Sequence, residues 1–106
     1  MEQKIIDALS AIGLIKTEIK AYLALLDLGQ SLAGKIADKS SLYRKNVYDA
    51  LNSLHKKGLV SYVIKSNRKY WNVINPERIN EIVSEKLDLV REITPSLVEK
   101  YKSKYQ

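Results

Sequence analysis

Arg44, Lys45 and Asn46 stand in a row, with Ser40, Ser41 and Tyr43 just ahead of them. A guanidinium can grip the two acceptors of a guanine edge, a carboxamide matches the acceptor and donor of adenine, and hydroxyls or ammoniums suit phosphate oxygens. A second cluster, Lys65, Arg68 and Lys69, brackets the turn-forming pair Ser66-Asn67, and Lys35 and Lys39 lie upstream as weaker candidates. This is chemistry of recognition rather than of bond making. The chain has no Cys and a single His, His55, which excludes thiolate nucleophiles, disulfides and the usual zinc and iron-sulfur ligand sets. It also lacks a Gly-rich phosphate loop and any nucleophile-base pair. No enzyme, metal or cofactor is therefore expected.

The charge distribution points the same way. Eighteen Lys and Arg against twelve Asp and Glu leave a net charge of +6 over 106 residues. Between residues 31 and 75 stand nine bases and only two acids, Asp38 and Asp49, so the whole excess is there. Such a concentration inside a folded chain is the footprint of a phosphate-backbone binder, with a membrane surface, an acidic protein or a merely solvated face as the competing explanations. With 45% hydrophobic residues, the composition is that of one soluble globular domain. No segment approaches the roughly 20 apolar residues that span a bilayer, and the start has no secretory pattern. A cytoplasmic, reducing location follows as the expectation.

Periodicity supplies the elements that must hold these clusters. Ile5, Ile6, Leu9, Ile12 and Leu14 recur at helical steps and stop near Gly13. Thr17 as N-cap opens a second helix through Ile19, Tyr22, Leu23, Leu25 and Leu26, closed by Gly29. Ala21 and Ala24 keep its flanks thin, as in a central helix. Ser31 is the expected cap of a short third helix ending near Ser40, and a brief turn leads into a fourth from Arg44 to Lys57, ended by Gly58. There Val47, Leu51 and Leu54 share the inner face, which turns Lys45, Asp49, Asn52 and Lys56 outward. Val60 to Ile74 then alternates as a hairpin around Ser66-Asn67. Tyr22, Tyr48, Tyr62 and Tyr70 are expected in the core, and of Tyr70 and Trp71 one must face outward. If Trp71 does, it is expected to pack on the last helix.

That helix is expected to open with Pro76 and to carry Val83, Leu87, Val90, Thr94, Leu97 and Tyr101 at alternating steps of four and three, the seam spacing of a coiled coil. Pro95 either kinks it or opens a second helix capped by Thr94. The fold expected is mainly α with a small β-hairpin (α+β): a winged helix-turn-helix over residues 1–75, with an N-terminal helix, and a C-terminal dimerisation helix over residues 76–106.

From Leu14 to Val60 the chain resembles the TrmB-like family of archaeal transcription regulators. The resemblance rests on Gly13-Leu14, the run Thr17 to Leu26, Gly29, Ile36-Ala37, Val47-Tyr48-Asp49-Ala50-Leu51, Leu54 and Lys57-Gly58-Leu59-Val60, with Tyr70 and Asn75-Pro76-Glu77 beyond. It implies a DNA-binding winged helix, usually dimeric, acting on promoters. Ser41, Leu32 and Tyr43 stand where the family usually has Gly, a capping Thr and Pro. Larger members continue into a sugar-sensing domain, for which 106 residues leave no room, so no small-molecule effector is expected.

The leading expectation is a regulator that binds double-stranded DNA as a homodimer, in the cytoplasm and associated with the nucleoid. The helix opened by Arg44, Lys45 and Asn46 would enter the major groove, with Ser40, Ser41, Tyr43, Lys35 and the wing residues Lys65, Arg68 and Lys69 on the backbone or minor groove. Val83, Leu87, Val90, Leu97 and Tyr101 would join the protomers. The alternatives are an architectural, chromatin-like protein that coats DNA and a winged-helix protein-interaction module.

Overall fold

The computed structural model describes residues 2–106. They divide into two compact units, one running to Pro76 and the other Glu77–Gln106. The first contains α1 (Glu2–Ala11), α2 (Lys16–Leu28), α3 (Ala33–Ser40), α4 (Arg44–Lys56), β1 (Val60–Lys65) and β2 (Arg68–Val73); the second is α5 (Arg78–Tyr105).

Helix α2 is the hub. It buries Ile19, Ala21, Tyr22, Ala24 and Leu25 and packs on α1, α3, α4 and β2, the two alanines allowing close approach. Leu26, expected inside, is 47% exposed because α2 offers more apolar positions than its neighbours can cover. Its first turn departs from expectation. The N-cap is Ile15, not Thr17; a side chain three residues on does the capping, since the Glu18 carboxylate accepts the Ile15 N–H at 2.8 Å. This is one half of a capping box.

Glu18 is 1% exposed, yet its carboxylate also accepts both contacts of the Lys57 ammonium at 2.8 Å and the Ser53 hydroxyl. Burial pushes its pKa up, but the bonds from Lys57, Ser53 and Ile15 outweigh it, and the group titrates below its ordinary value. The start of α2 is thus tied to the end of α4.

The expected Ser31 cap of α3 is replaced by Leu32, because Ser31 has another task. Its N–H and carbonyl exchange hydrogen bonds with Trp71 at 3.0 and 2.7 Å, making a one-residue third strand on the hairpin. The hairpin register runs from Val60↔Val73 to Lys65↔Arg68. Ser66 and Asn67 both have positive φ, 50° and 63°, as a tight two-residue turn of this hand requires.

Trp71 faces inward at 1% exposure, Tyr70 is half-buried, and Trp71 is covered within the first unit, against Tyr62 and His55 at 5.1 and 6.4 Å between ring centroids. The expectation that Tyr48 joins the core fails, at 46% exposure, since Val47, Ala50, Leu51 and Leu54 fill the buried face of α4.

Between α3 and α4, Ser41 sits in the left-handed region at φ 60°, ψ 30°, a conformation glycine adopts without steric cost. Replacing Ser41 by Gly should stabilise the fold by about 0.5–1 kcal/mol, a rise of roughly 4 °C in the melting temperature. Calorimetry would contradict this strain if the variant melted lower.

Helix α5 starts at Arg78, not Pro76; Pro76 and Glu77 form a turn, and the Asn80 N–H bonds the Glu77 carbonyl at 3.0 Å. It continues through Pro95 as one helix. Nearby, the Thr94 hydroxyl donates to the Val90 carbonyl at 2.6 Å, which hides its donor. The first turn is braced by Arg78 to Glu81 at 2.6 Å, and Tyr101 stacks on Tyr105. No residue of α5 is buried. Among the described residues no helix is long and apolar enough to cross a membrane.

Candidate nucleic-acid interface

The exposed start of α4 is built by its two ends. Ser41 turns the chain, its N–H bonding the Ala37 carbonyl, and the extended Tyr43 becomes the N-cap of α4. Tyr43 is 85% exposed, and Arg44, Lys45 and Asn46 are exposed behind it. Ser40 is half-buried and spends its hydroxyl on the Ala37 carbonyl at 3.3 Å. On the outer face of α4, Lys45, Asp49, Asn52 and Lys56 are all exposed as expected.

A cleft of about 480 Å³ opens between α3, α4 and the hairpin tip. Lys35 and Asp38 enter it from α3, Arg44 and Tyr48 from α4, Asn67, Arg68 and Lys69 from the hairpin, with Trp71 also in the lining. Four of the predicted site residues, Lys35, Arg44, Arg68 and Lys69, therefore converge on one concavity with a single carboxylate. Among the described residues the ion pairs are those of Lys57 with Glu18 and of Arg78 with Glu81 and Glu85, so none of these four cations is neutralised. Lys69 is held over the Tyr62 ring at 4.4 Å and near the Trp71 ring at 5.7 Å. Lys65 is not brought into the cleft. Its ammonium bonds the Gln30 side chain at 3.1 Å and lies 5.6 Å from the Tyr70 ring centroid. Ser40, Ser41, Tyr43, Lys45 and Asn46 likewise stand outside the cleft lining.

Sequence reasoning missed Gly34, Asp38, Tyr48 and Asn67 as parts of this surface. Gly34 offered a signal: a glycine inside an eight-residue helix is costly unless something needs the space. Here the Arg44 guanidinium occupies it, since a Cβ at Gly34 would lie 2.8 Å from Arg44 Nη2. Among the described residues no group of His, Cys, Asp and Glu has metal-site geometry.

A three-helix unit whose last helix leads into a two-stranded wing, itself tied back to the segment before α3, defines a winged helix-turn-helix protein. Solved structures share this fold. TrmBL2, described as an archaeal chromatin protein with a novel mode of DNA binding, superposes with a TM-score of 0.83 at 20% identity over 97% of this chain and 41% of its own. A MarR family protein from Bacillus stearothermophilus gives 0.60 at 20% identity, over 97% of this chain and 80% of that one. The family model described as sugar-specific transcriptional regulator TrmB matches residues 9–77. This chain belongs to the TrmB family. Among its relatives, the HTH-type sugar sensing transcriptional regulator TrmBL1 of Pyrococcus furiosus is 40% identical over 93 residues, covering 88% of this chain and 26% of that protein. A protein of Methanocaldococcus jannaschii is 35% identical over 73% of this chain and 68% of its own length. The chain thus spans about a quarter of TrmBL1.

Proposed function

We propose that this chain is a transcription regulator that binds double-stranded DNA as a homodimer, with the start of α4 in the major groove and the hairpin along the backbone. The observation that carries this reading is the convergence of Lys35, Arg44, Arg68 and Lys69 on one cleft without ion-pair partners. Cations held unpaired near one another repel, and a polyanion relieves that repulsion while releasing its counterions. Membership of the TrmB family and the regulator name of TrmBL1 support the same reading. Cytoplasm and nucleoid are its place in the cell, and no catalytic step belongs to the proposal.

Anisotropy titration of a labelled duplex at several salt concentrations tests it. Each phosphate neutralised should add about −0.9 to the slope of log K against log salt, and no binding at low salt would refute the reading. TrmBL2 is described as a chromatin protein, so architectural coating is the second reading, distinguished by a small preference among sequences.

The dimer is proposed through α5. Val83, Leu87, Val90, Leu97 and Tyr101 are between 39% and 56% exposed, and an apolar stripe at seam spacing is the pattern two helices cover mutually. The donor of Thr94 within that stripe is already satisfied. Two recognition helices would then reach half-sites about 34 Å apart. Substituting both Leu87→Asp and Leu97→Asp should give a monomer in sedimentation without unfolding the first unit. A dimer that survives both changes would place the contact elsewhere.

A further inference from the structure

Arg44 is the first residue of α4, where an arginine is the natural candidate for reading a guanine edge. Its side chain does not extend along the exposed face. The guanidinium folds back onto α3, so close to the Gly34 backbone that an added Cβ would lie 2.8 Å from Nη2 and 3.4 Å from Cζ. The planar group needs a surface free of side chain there, and Gly34 supplies it. In this position Arg44 shares the cleft with Lys35, Arg68 and Lys69, and no carboxylate pairs with any of them. The lining also includes Trp71, whose buried indole N–H has no acceptor among the described residues. Asp38, the one acid of the lining, forms no ion pair with these cations.

We infer that the cleft is a clamp for a DNA backbone phosphate and that Arg44, seated on Gly34, belongs to the clamp rather than to base readout. The inference rests on the DNA-binding reading above and deepens it. A phosphodiester offers two charged oxygens to a fork of guanidinium donors, and the ammoniums of Lys35 and Lys69 suit the same charge without geometric demand. Contacts of this kind fix register on the duplex but carry no sequence information. Discrimination among bases then falls to the exposed Lys45 and Asn46. Gly34 is a positioning residue, because it acts only through Arg44.

A double-mutant cycle on the full chain tests this, with affinity measured on a preferred duplex and on a scrambled one. Arg44→Ala should weaken both by the same factor, about tenfold for a lost charge-assisted contact, and should shallow the salt slope by about 0.9. Gly34→Ala, a change that favours the helix itself, should preserve the melting temperature yet weaken both duplexes by displacing the guanidinium. In the Arg44→Ala background, Gly34→Ala should have no further effect. Lys45→Ala should change the preference between the two duplexes. If Arg44→Ala relaxes preference at one base pair, or if Gly34→Ala acts equally with and without Arg44, the clamp is wrong while DNA binding stands. If the unsubstituted chain binds neither duplex, the DNA reading falls and the clamp with it.

Discussion

Replacing Trp71 by alanine should destabilise the winged unit by about 3–5 kcal/mol, a large part of the roughly 5–15 kcal/mol that holds a domain folded. The indole is 1% exposed, and its burial links three parts of the unit. It packs on Tyr62 across the hairpin and on His55 from α4, lies beneath the Lys69 ammonium, and belongs to the residue whose backbone pairs with Ser31. Loss of the ring opens a cavity at the root of the wing, where α4 and the strands meet. Trp71→Phe should cost less, since it keeps an aromatic ring and removes a donor that has no acceptor among the described residues. Denaturant unfolding followed by circular dichroism measures both variants, because Trp71 is the only tryptophan and the fluorescence probe disappears with it. A loss below 1 kcal/mol for the alanine variant would show that the ring does not organise the wing.

Glu18→Ala should cost about 3 kcal/mol at neutral pH, because it strips the acceptor from the Ile15 N–H, the Ser53 hydroxyl and the Lys57 ammonium together. The pH dependence has a definite sign. The folded carboxyl titrates below its ordinary value of 4.5, so the folded state binds that proton less readily than the unfolded chain does. Its contribution is fully present above about pH 4.5 and disappears as pH falls through the depressed folded value. Glu18→Gln keeps the shape but cannot ionise, so the gap between it and the unsubstituted protein should be widest near neutrality and close in acid. Guanidinium melts at pH 7 and pH 3 measure that gap. A gap of the same size at both pH values would remove the ionised Glu18 as its source.

The parts of the fold legible in the sequence were those set by periodicity. Val47, Leu51 and Leu54 occupy the buried face of α4, Gly29 and Gly58 stop their helices with φ of 76° and 80°, and Ser66-Asn67 makes the hairpin turn. Caps were less legible because local chemistry at a helix start depends on what lies elsewhere. Thr17 has the type of a cap, but Glu18 already serves Ile15; Ser31 has it too, but its backbone is committed to Trp71, forty residues away in the sequence. Alternation on β2 required one of Tyr70 and Trp71 to face outward, and only the bridge to Ser31 decides which. Of the candidate site, the cations were legible and their grouping was not. Lys65 and Lys69 flank the same turn, yet strand alternation sends Lys65 to Gln30 and Lys69 into the cleft. The role of Gly34 required the rotamer of a residue ten positions later.

Selection from a random double-stranded DNA pool, with sequencing of the bound fraction at two salt concentrations, tests the central claim most directly. The account predicts an enriched motif with two half-sites about one helical turn apart, and total binding that falls steeply at the higher salt. A pool that remains unbound at low salt would contradict it, leaving the cationic cleft of α3, α4 and the wing to an acidic protein partner.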